Sequence, residues 1–214
     1  MIALVDYGAG NLTSVRKALH ALGAGFVVPS SPAQIPDLRA LIVPGVGHFD
    51  ATSRLGGEWT DAIAAAVRRG TPLLGICVGM QWLFEGSEEA PDVPGLGVIR
   101  GRIARLASDP ARRLKVPHVG WNALDVRAPA RLLDGVQSGS QVYFTHSYAA
   151  PVTPECVAAT THANTFASVV ERGNVFGVQF HPEKSGPAGL RILRNFLVLA
   201  GSPLLESADG RRRC

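Results

Sequence analysis

The chain has 214 residues, of which 46% are hydrophobic and 18% are charged. This length and composition predict a folded protein of one domain or two small ones, with a core that needs no disulfide or metal, and they exclude a disordered chain. The net charge is +4, but three basic residues stand together at 211–213, which leaves 18 basic and 17 acidic residues over 1–210. A nearly neutral body argues against a nucleic-acid-binding protein.

The cysteines predict a reducing environment. Cys77, Cys156 and Cys214 are odd in number and have no Cys-x-x-Cys spacing, so we expect neither a disulfide framework nor a zinc ribbon. The histidines also lack a metal-ligand spacing, and no metal is expected. Since no apolar run reaches ~18 residues and residues 1–6 lack a basic start, we expect a cytoplasmic protein without a transmembrane helix or signal peptide.

The first half of the chain alternates short apolar runs with helical patterns. Strands are predicted at 2–5, 26–28, 40–43 and 72–76. A helical pattern begins near Thr13 or Ser14, and a second covers 59–69, with Gly70 as its stop. This alternation is typical of βαβ units, in which a parallel sheet is covered by helices on both faces.

The second half predicts mainly strands with short connections, at 98–106, 117–124, 141–148, 156–161, 166–171 and 175–180. A final helix is predicted at 188–199. We therefore expect an α/β fold: one domain over 2–200, built on a central mixed sheet that is mostly parallel, with helices on both faces. Residues 201–214 are expected to form a flexible C-terminal tail.

The sequence Gly-Ile-Cys-Val-Gly at 75–79 follows an apolar strand and precedes a helical pattern. In that context Gly-x-Ser-x-Gly forms the nucleophile elbow of hydrolases, and here cysteine takes the place of serine. The turn would set Cys77 at a helix start, where the dipole favours a thiolate, and would aim the Val78 N–H at an oxyanion. The alternative is a buried structural cysteine between loop glycines.

Two further strand ends carry polar or glycine-rich sequences. His181 and Glu183 are two residues apart, so in extended chain they share a side, and the carboxylate can orient the base that a thiol nucleophile needs. The alternative is a surface histidine with a glutamate that caps the last helix. The turn at 44–47 can bring backbone N–H groups near a substrate, although an ordinary strand-to-loop turn is the simpler explanation.

Taken together, these motifs resemble those of the class I (triad) glutamine amidotransferases. The matching segments are residues 44–47 (Pro-Gly-Val-Gly), 75–81 (Gly-Ile-Cys-Val-Gly-Met-Gln) and 180–185 (Phe-His-Pro-Glu-Lys-Ser). Residues 6–12, 117–122 and 143–148 look like one branch of this family, the glutaminase subunits that serve a cyclase in histidine biosynthesis. The resemblance spans roughly residues 2–200, in the order and spacing of the family.

The resemblance implies a role for each motif. Cys77 would attack the side-chain carboxamide of glutamine, with His181 transferring the proton and Glu183 orienting His181. Backbone amides near Gly47 and Val78 would form the oxyanion hole. The residues implied to bind glutamine are Gln81, Ser147 and Tyr148, the last two through their backbone. No cofactor is implied.

The same resemblance implies a partner. Ammonia would pass into a (β/α)8-barrel cyclase subunit in a heterodimer, and the glycines of 44–47 would permit a peptide reorientation that completes the oxyanion hole only when the partner's nucleotide site is filled. Positions that match the cyclase contact are Trp121, Tyr143 and Lys184. The two aromatics could equally be core residues, and the lysine could be a solvated side chain.

Other functions stay open at this stage. A related amidotransferase of pyridoxal phosphate, GMP or anthranilate synthesis would carry the same triad, but residues 117–122 and 143–148 argue against it. A free-standing hydrolase of γ-glutamyl or peptide bonds would need no partner. A catalytically silent binding module would not need Cys77, His181 and Glu183 together.

Overall fold

A computed structural model describes residues 1–202. Most of the predicted tail, including Cys214, lies outside these residues. The strands are β1 (Ile2–Leu4), β2 (Phe26–Val27), β3 (Ala40–Gly45), β4 (Leu73–Cys77), β5 (Gly86–Ser87), β6 (Ala90–Pro94), β7 (Arg102–Arg105), β8 (His118–Ala123), β9 (Asp125–Val126), β10 (Gln141–His146), β11 (Tyr148–Ala149), β12 (Cys156–Thr161), β13 (Thr165–Arg172) and β14 (Val175–Val178).

The α-helices are α1 (Leu12–Ala21), α2 (Glu58–Arg68), α3 (Val78–Trp82) and α4 (Gly186–Leu199). Short 3-10 helices cover Pro32–Asp37, Phe49–Leu55, Arg131–Leu133 and Pro182–Lys184. Helix α1 begins one residue before the predicted start because the Asn11 side chain accepts a hydrogen bond from the Ser14 N–H. None of the helices in the described part of the chain is long and apolar enough to cross a membrane.

The central sheet has eight strands in the order β2-β1-β3-β4-β14-β13-β12-β9. Neighbours from β2 to β14 pair in parallel, and those from β14 to β9 pair antiparallel. The predicted mixed, mostly parallel sheet is therefore confirmed. The last strand in the chain, β14, returns to the middle of the sheet and lies beside β4, with Val178 opposite Ile76. This pairing brings the ends of two predicted site strands together.

Two apolar cores cover the two faces of this sheet. One packs α1 and α4 against the sheet through residues such as Leu19 and Phe196, and the other packs α2 through Ile63 and Ala66. All five residues of β4 are buried, as expected for a central strand covered on both faces. Strand β4, which ends at Cys77, is thus packed against apolar side chains on both faces of the sheet.

Two small sheets flank the central one, and they correct several predicted strands. The predicted strand 141–148 is divided at Ser147: β10 pairs with β8, whereas β11 joins a four-stranded sheet with β7, β5 and β6. Only Arg102–Arg105 of the predicted strand 98–106 is extended. Strands β5 and β6 were not predicted, because their short, Gly- and Pro-containing sequences lack the alternation that marks a strand.

Candidate active site

Cys77 lies at the junction between β4 and α3, on the sharp turn that the sequence predicts. Its backbone has φ 53° and ψ −110°, which is strained for a residue with a side chain. Such strain is typical of a nucleophile elbow. Helix α3 has only five residues, so the predicted helix-dipole effect on the thiolate is small compared with that of the charged groups nearby.

Glycines at the elbow allow α3 to pack directly on the sheet. A Cβ on Gly79 would collide with the carbonyl of Val43 in β3, and one on Gly75 would lie 2.5 Å from the Gly79 carbonyl. On the neighbouring strand, a Cβ on Gly177 would lie 2.7 Å from Met80. Each of these contacts is closer than a side chain tolerates, so glycine is required for this approach of helix to sheet.

His181 and Glu183 follow β14 and reach the same end of the sheet as Cys77. His181 Nδ1 lies 2.8 Å from Glu183 Oε1, and both side chains are buried, at 2% and 1% exposure. Because a carboxylate only accepts, Nδ1 carries the hydrogen and Nε2 is left for proton exchange. His181 Nε2 has no hydrogen-bond partner among the described residues, and the alternative of a surface histidine is wrong.

The charge state of His181 follows from its neighbours. Burial alone would lower the pKa of His181, but the proximity of Cys77, together with the hydrogen bond and charge of Glu183, outweighs burial and raises the pKa to about 10. An imidazolium at neutral pH stabilises an adjacent thiolate, which is the nucleophilic form of cysteine. Chemically, a thiol, an imidazole and a carboxylate in this order are the groups that can act as a nucleophile, an acid–base group and its orienting partner.

A pocket of about 220 Å³ opens beside Cys77. It is lined by six residues that the sequence predicts, namely Gly47, Cys77, Val78, Gln81, Ser147 and Tyr148. Four more lining residues were not predicted, namely Glu89, Pro117, Thr145 and His146. Glu89 adds a carboxylate to the pocket wall, and its Oε2 accepts a hydrogen bond from the Phe49 N–H.

Gln179 is another residue close to Cys77 that the sequence reasoning missed. It is fully buried, and its Nε2 lies 3.7 Å from Cys77 Sγ. Its side-chain oxygen accepts a 3.2 Å hydrogen bond from Gln81 Nε2, which also donates to the Tyr148 carbonyl at 2.9 Å. The available signal was a polar residue inside an apolar run, two positions before His181 and therefore on the same side of the extended chain.

The predicted oxyanion segment has one amide turned away from the pocket. The Val46 N–H donates to the Ala9 carbonyl at 2.6 Å, in the loop after β1. Gly47 adopts φ +90°, and a Cβ there would meet open space. In this conformation the Val46 amide cannot donate to a substrate in the pocket.

The three candidate partner-interface residues lie together on one surface. Trp121 on β8 is 57% exposed, so it is not a core aromatic. Its ring meets that of Tyr143 edge to face at 6.0 Å, and Lys184 Nζ lies 5.9 Å from the centre of the Tyr143 ring. Val119, also on β8, is 58% exposed. This surface is defined by Val119, Trp121, Tyr143 and Lys184 and is called the β8 surface below.

Within residues 1–202, no group of three or more histidine, cysteine or acidic side chains is placed to hold a metal ion. The ring nitrogens of the buried His118 and His146 instead take part in hydrogen bonds with each other, with Asn122 and with the Tyr148 carbonyl. Cys156 is also buried, and burial raises the pKa of its thiol, so it is a poor nucleophile.

Comparisons with known proteins identify the family of this chain. A family model of class-I glutamine amidotransferases matches residues 3–200. The imidazole glycerol phosphate synthase subunit HisH of Deinococcus radiodurans is 47% identical over 199 residues, covering 91% of this chain and 92% of that protein. The protein of the same name from Geobacillus kaustophilus is 47% identical over 206 residues, covering 94% and 97%.

A crystal structure of a glutamine amidotransferase matches with a TM-score of 0.72 at 23% identity, over 94% of this chain and 100% of that one. This likeness supports the fold alone. The family model and the two relatives span nearly the whole chain. The chain therefore belongs to the class-I glutamine amidotransferase family and, within it, to the family of HisH subunits.

Proposed function

We propose that this protein hydrolyses glutamine to glutamate and ammonia through a thioester on Cys77 and delivers the ammonia to a cyclase subunit, HisF. The observation that carries the proposal is the buried set of Cys77, His181 and Glu183 beside a pocket lined by the implied glutamine-binding residues. Membership of the family supports the reaction. The two cysteines of the described residues are both free thiols, which suits a cytoplasmic setting.

The first half of the reaction uses the thiolate and imidazolium pair. The Cys77 thiolate attacks the side-chain carbonyl carbon of glutamine, and the carbonyl oxygen becomes an oxyanion. His181 Nε2–H then gives its proton to the departing nitrogen, so that ammonia leaves and a glutamyl thioester remains. Glu183 keeps the ring oriented because its carboxylate holds Nδ1–H throughout.

The second half restores the enzyme. The neutral His181 accepts a proton from water, and the resulting hydroxide attacks the thioester carbonyl. Collapse of this second tetrahedral intermediate releases glutamate and returns Cys77 as a thiolate beside the imidazolium. Gln179 Nε2, 3.7 Å from Sγ, can donate a hydrogen bond to the sulfur that the thioester releases.

Polar groups in the pocket suit the amino-acid portion of glutamine. The Glu89 carboxylate can pair with an α-ammonium group, and the backbone around Ser147 and Tyr148 offers hydrogen-bonding groups where the chain leaves β10 for β11. Gln81 Nε2 donates one hydrogen to the Tyr148 carbonyl and the other to the Gln179 side-chain oxygen. The Gln81 side-chain oxygen is therefore left to accept a hydrogen bond from the substrate.

Oxyanion stabilisation would depend on a change at residues 44–47. The Val78 N–H starts α3 beside Cys77, whereas the Val46 N–H is engaged by the Ala9 carbonyl. Reorientation of the peptide between Gly45 and Val46 would release this amide to the pocket and supply a second donor. While the Val46 amide is held by Ala9, the oxyanion hole lacks one hydrogen-bond donor, so the protein without its partner would hydrolyse little glutamine.

The β8 surface is the proposed contact with HisF. Its exposed apolar and aromatic side chains are typical of interface centres, and Lys184 adds one charged group beside them. In the proposed heterodimer the ammonia reacts in the (β/α)8 barrel with a phosphoribulosyl-formimino-AICAR nucleotide. The products are imidazole glycerol phosphate and AICAR, in histidine biosynthesis.

Glutamate release from glutamine tests this proposal in three mixtures: the protein alone, with HisF, and with HisF plus its nucleotide substrate. We expect slow release alone and strong release only in the last mixture. The Cys77→Ala variant serves as control and should lose release in every mixture, because no thioester can form. Strong activity of the protein alone would indicate a free-standing hydrolase, and inactivity in every mixture would contradict the glutaminase assignment.

A further inference from the structure

A chain of hydrogen bonds runs from Asn122 on β8, through two buried histidines, to a backbone carbonyl beside the pocket. Asn122 Nδ2 lies 3.3 Å from His118 Nε2, and His118 Nδ1 lies 3.1 Å from His146 Nε2. His146 Nδ1 lies 2.9 Å from the Tyr148 carbonyl oxygen. The two histidines stand directly opposite each other in the β8–β10 pair and are 4% and 7% exposed. None of these four residues has a step in the chemistry of the thioester.

The groups at its two ends give this chain a single direction. The Tyr148 carbonyl only accepts, so His146 Nδ1 carries hydrogen and its Nε2 accepts from His118 Nδ1. His118 Nε2 in turn accepts from the Asn122 amide, whose orientation is fixed by the Ala123 N–H on its oxygen and the Thr161 carbonyl on its nitrogen. Each imidazole is thus a neutral ring with its hydrogen on Nδ1.

The surroundings of the two rings keep them neutral. Burial, together with the charge of His162, lowers the pKa of His118 to about 4. Burial outweighs the hydrogen bond to Tyr148 and lowers the pKa of His146 to about 3, with the charges of His118, His162 and His181 acting in the same direction. His162 stacks on His118 with ring centres 4.3 Å apart. At neutral pH the chain is therefore intact.

The Tyr148 carbonyl is where this chain meets the glutamine pocket. It accepts from His146 and, at 2.9 Å, from Gln81 Nε2. A shift of this carbonyl would change its hydrogen bond with the Gln81 amide, and Gln81 in turn contacts Gln179 beside Cys77. Strand β8 is thereby connected to the substrate pocket through directed hydrogen bonds rather than through apolar packing alone.

We propose that His118 and His146 are positioning residues: they hold the Tyr148 carbonyl, and through it the Gln81 amide, in the orientation that binds glutamine. The same pair ties this orientation to β8, which carries the exposed Val119 and Trp121. A partner bound to the β8 surface would therefore affect the orientation of these glutamine-binding groups through the two histidines. The inference rests on the proposed function, because it takes glutamine as the ligand of the pocket.

Matched substitutions of His118 test the positioning role in the complex with HisF. His118→Leu removes the donor to His146, whereas His118→Asn sets an amide N–H near the position of Nδ1. We expect His118→Leu to raise KM for glutamine about tenfold with kcat changed less than about threefold, since uniform binding is lost. His118→Asn should restore KM to within about threefold. His162→Leu, outside the chain, should leave both constants near wild type.

A second variant and a spectroscopic measurement keep the test decisive if His118→Leu folds poorly. Asn122→Ala at the outer end should raise KM in the same direction, by about threefold. Nitrogen-15 spectra of the histidine rings in the free wild-type protein should show both rings as Nδ1–H tautomers at pH 7.

An Nε2–H tautomer in either ring would overturn the inference. So would an unchanged KM in His118→Leu, or equal impairment of the leucine and asparagine variants. Wild-type protein that hydrolyses no glutamine even with HisF and its nucleotide would instead overturn the proposed function. A failure confined to the variants therefore concerns only the positioning role.

Discussion

The buried hydroxyl of Tyr7 offers a sharp test of the packing around the elbow. Tyr7 is 7% exposed and lies in the core on the α2 face of the sheet, where its hydroxyl has no hydrogen-bond partner among the described residues. Burial, with the charge of Cys77, raises the pKa of this phenol above its ordinary range. The hydroxyl occupies the space where Gly45 would carry a Cβ. The ring packs within the core, but burial of the unpaired hydroxyl lowers the free energy of unfolding.

Tyr7→Phe removes this oxygen and leaves the ring in place. An unsatisfied buried hydroxyl costs about 1–3 kcal/mol, part of which is recovered as apolar contact when it is deleted. We therefore expect the free energy of unfolding to rise by about 1 kcal/mol. For a protein of this size, that corresponds to an increase in Tm of roughly 2–4 °C.

Thermal and urea unfolding of the free protein, followed by circular dichroism, measure this change. Tyr143→Phe is the matched control, because Tyr143 is only half-buried on the β8 surface, and its effect should stay within about 0.5 kcal/mol. If Tyr7→Phe instead lowers the stability by more than that control, the Tyr7 hydroxyl has a partner in solution and the reasoning is refuted.

Two other predictions concern residues 44–47, the predicted oxyanion segment, and the stability of the protein in acid. Gly47→Val should abolish the stimulation of glutamate release by HisF, because a backbone φ of +90° excludes a β-branched residue. Gly139 has the same φ and equally open space around it, so the control variant Gly139→Val should retain the stimulation. Since His118 and His146 are neutral when folded but titrate near 6.5 when unfolded, stability should fall as pH drops below about 6.5. The raised pKa of His181 opposes this, so urea unfolding at pH 7 and 5.5 should differ by about 1–2 kcal/mol; equal or greater stability at pH 5.5 would contradict the sign.

Local sequence determined strand β4 and the elbow that follows it. The apolar run 73–76 predicts a buried strand, and Gly75 and Gly79 predict a turn tight enough for α3 to rest on the sheet. These features depend on neighbouring residues only, through backbone sterics and the periodicity of apolar side chains. The division of the predicted strand 141–148 at Ser147 depends instead on distant residues, because its two parts pair with different strands.

The residue types of the candidate active site were predictable from the sequence, but their proximity in space was not. Cys77 and His181 lie far apart in sequence and come together because β14 pairs in parallel with β4 in the middle of the sheet. Strand order depends on long-range pairing, which a local pattern does not encode. Gln179 follows the same logic: its polarity in an apolar strand was visible, but its contact with Cys77 Sγ exists only in the sheet.

The two histidines of the β8–β10 pair show most clearly which properties depend on sequence alone and which depend on tertiary structure. The sequence by itself determined that His118 and His146 lie on strands, and it gave no reason to connect them. The register of β8 with β10 sets the two residues opposite each other, and burial by the surrounding aromatic rings keeps them neutral. Sequence thus determined which groups are present, and tertiary structure decided their partners and charge, because pairing and desolvation arise only when distant strands meet.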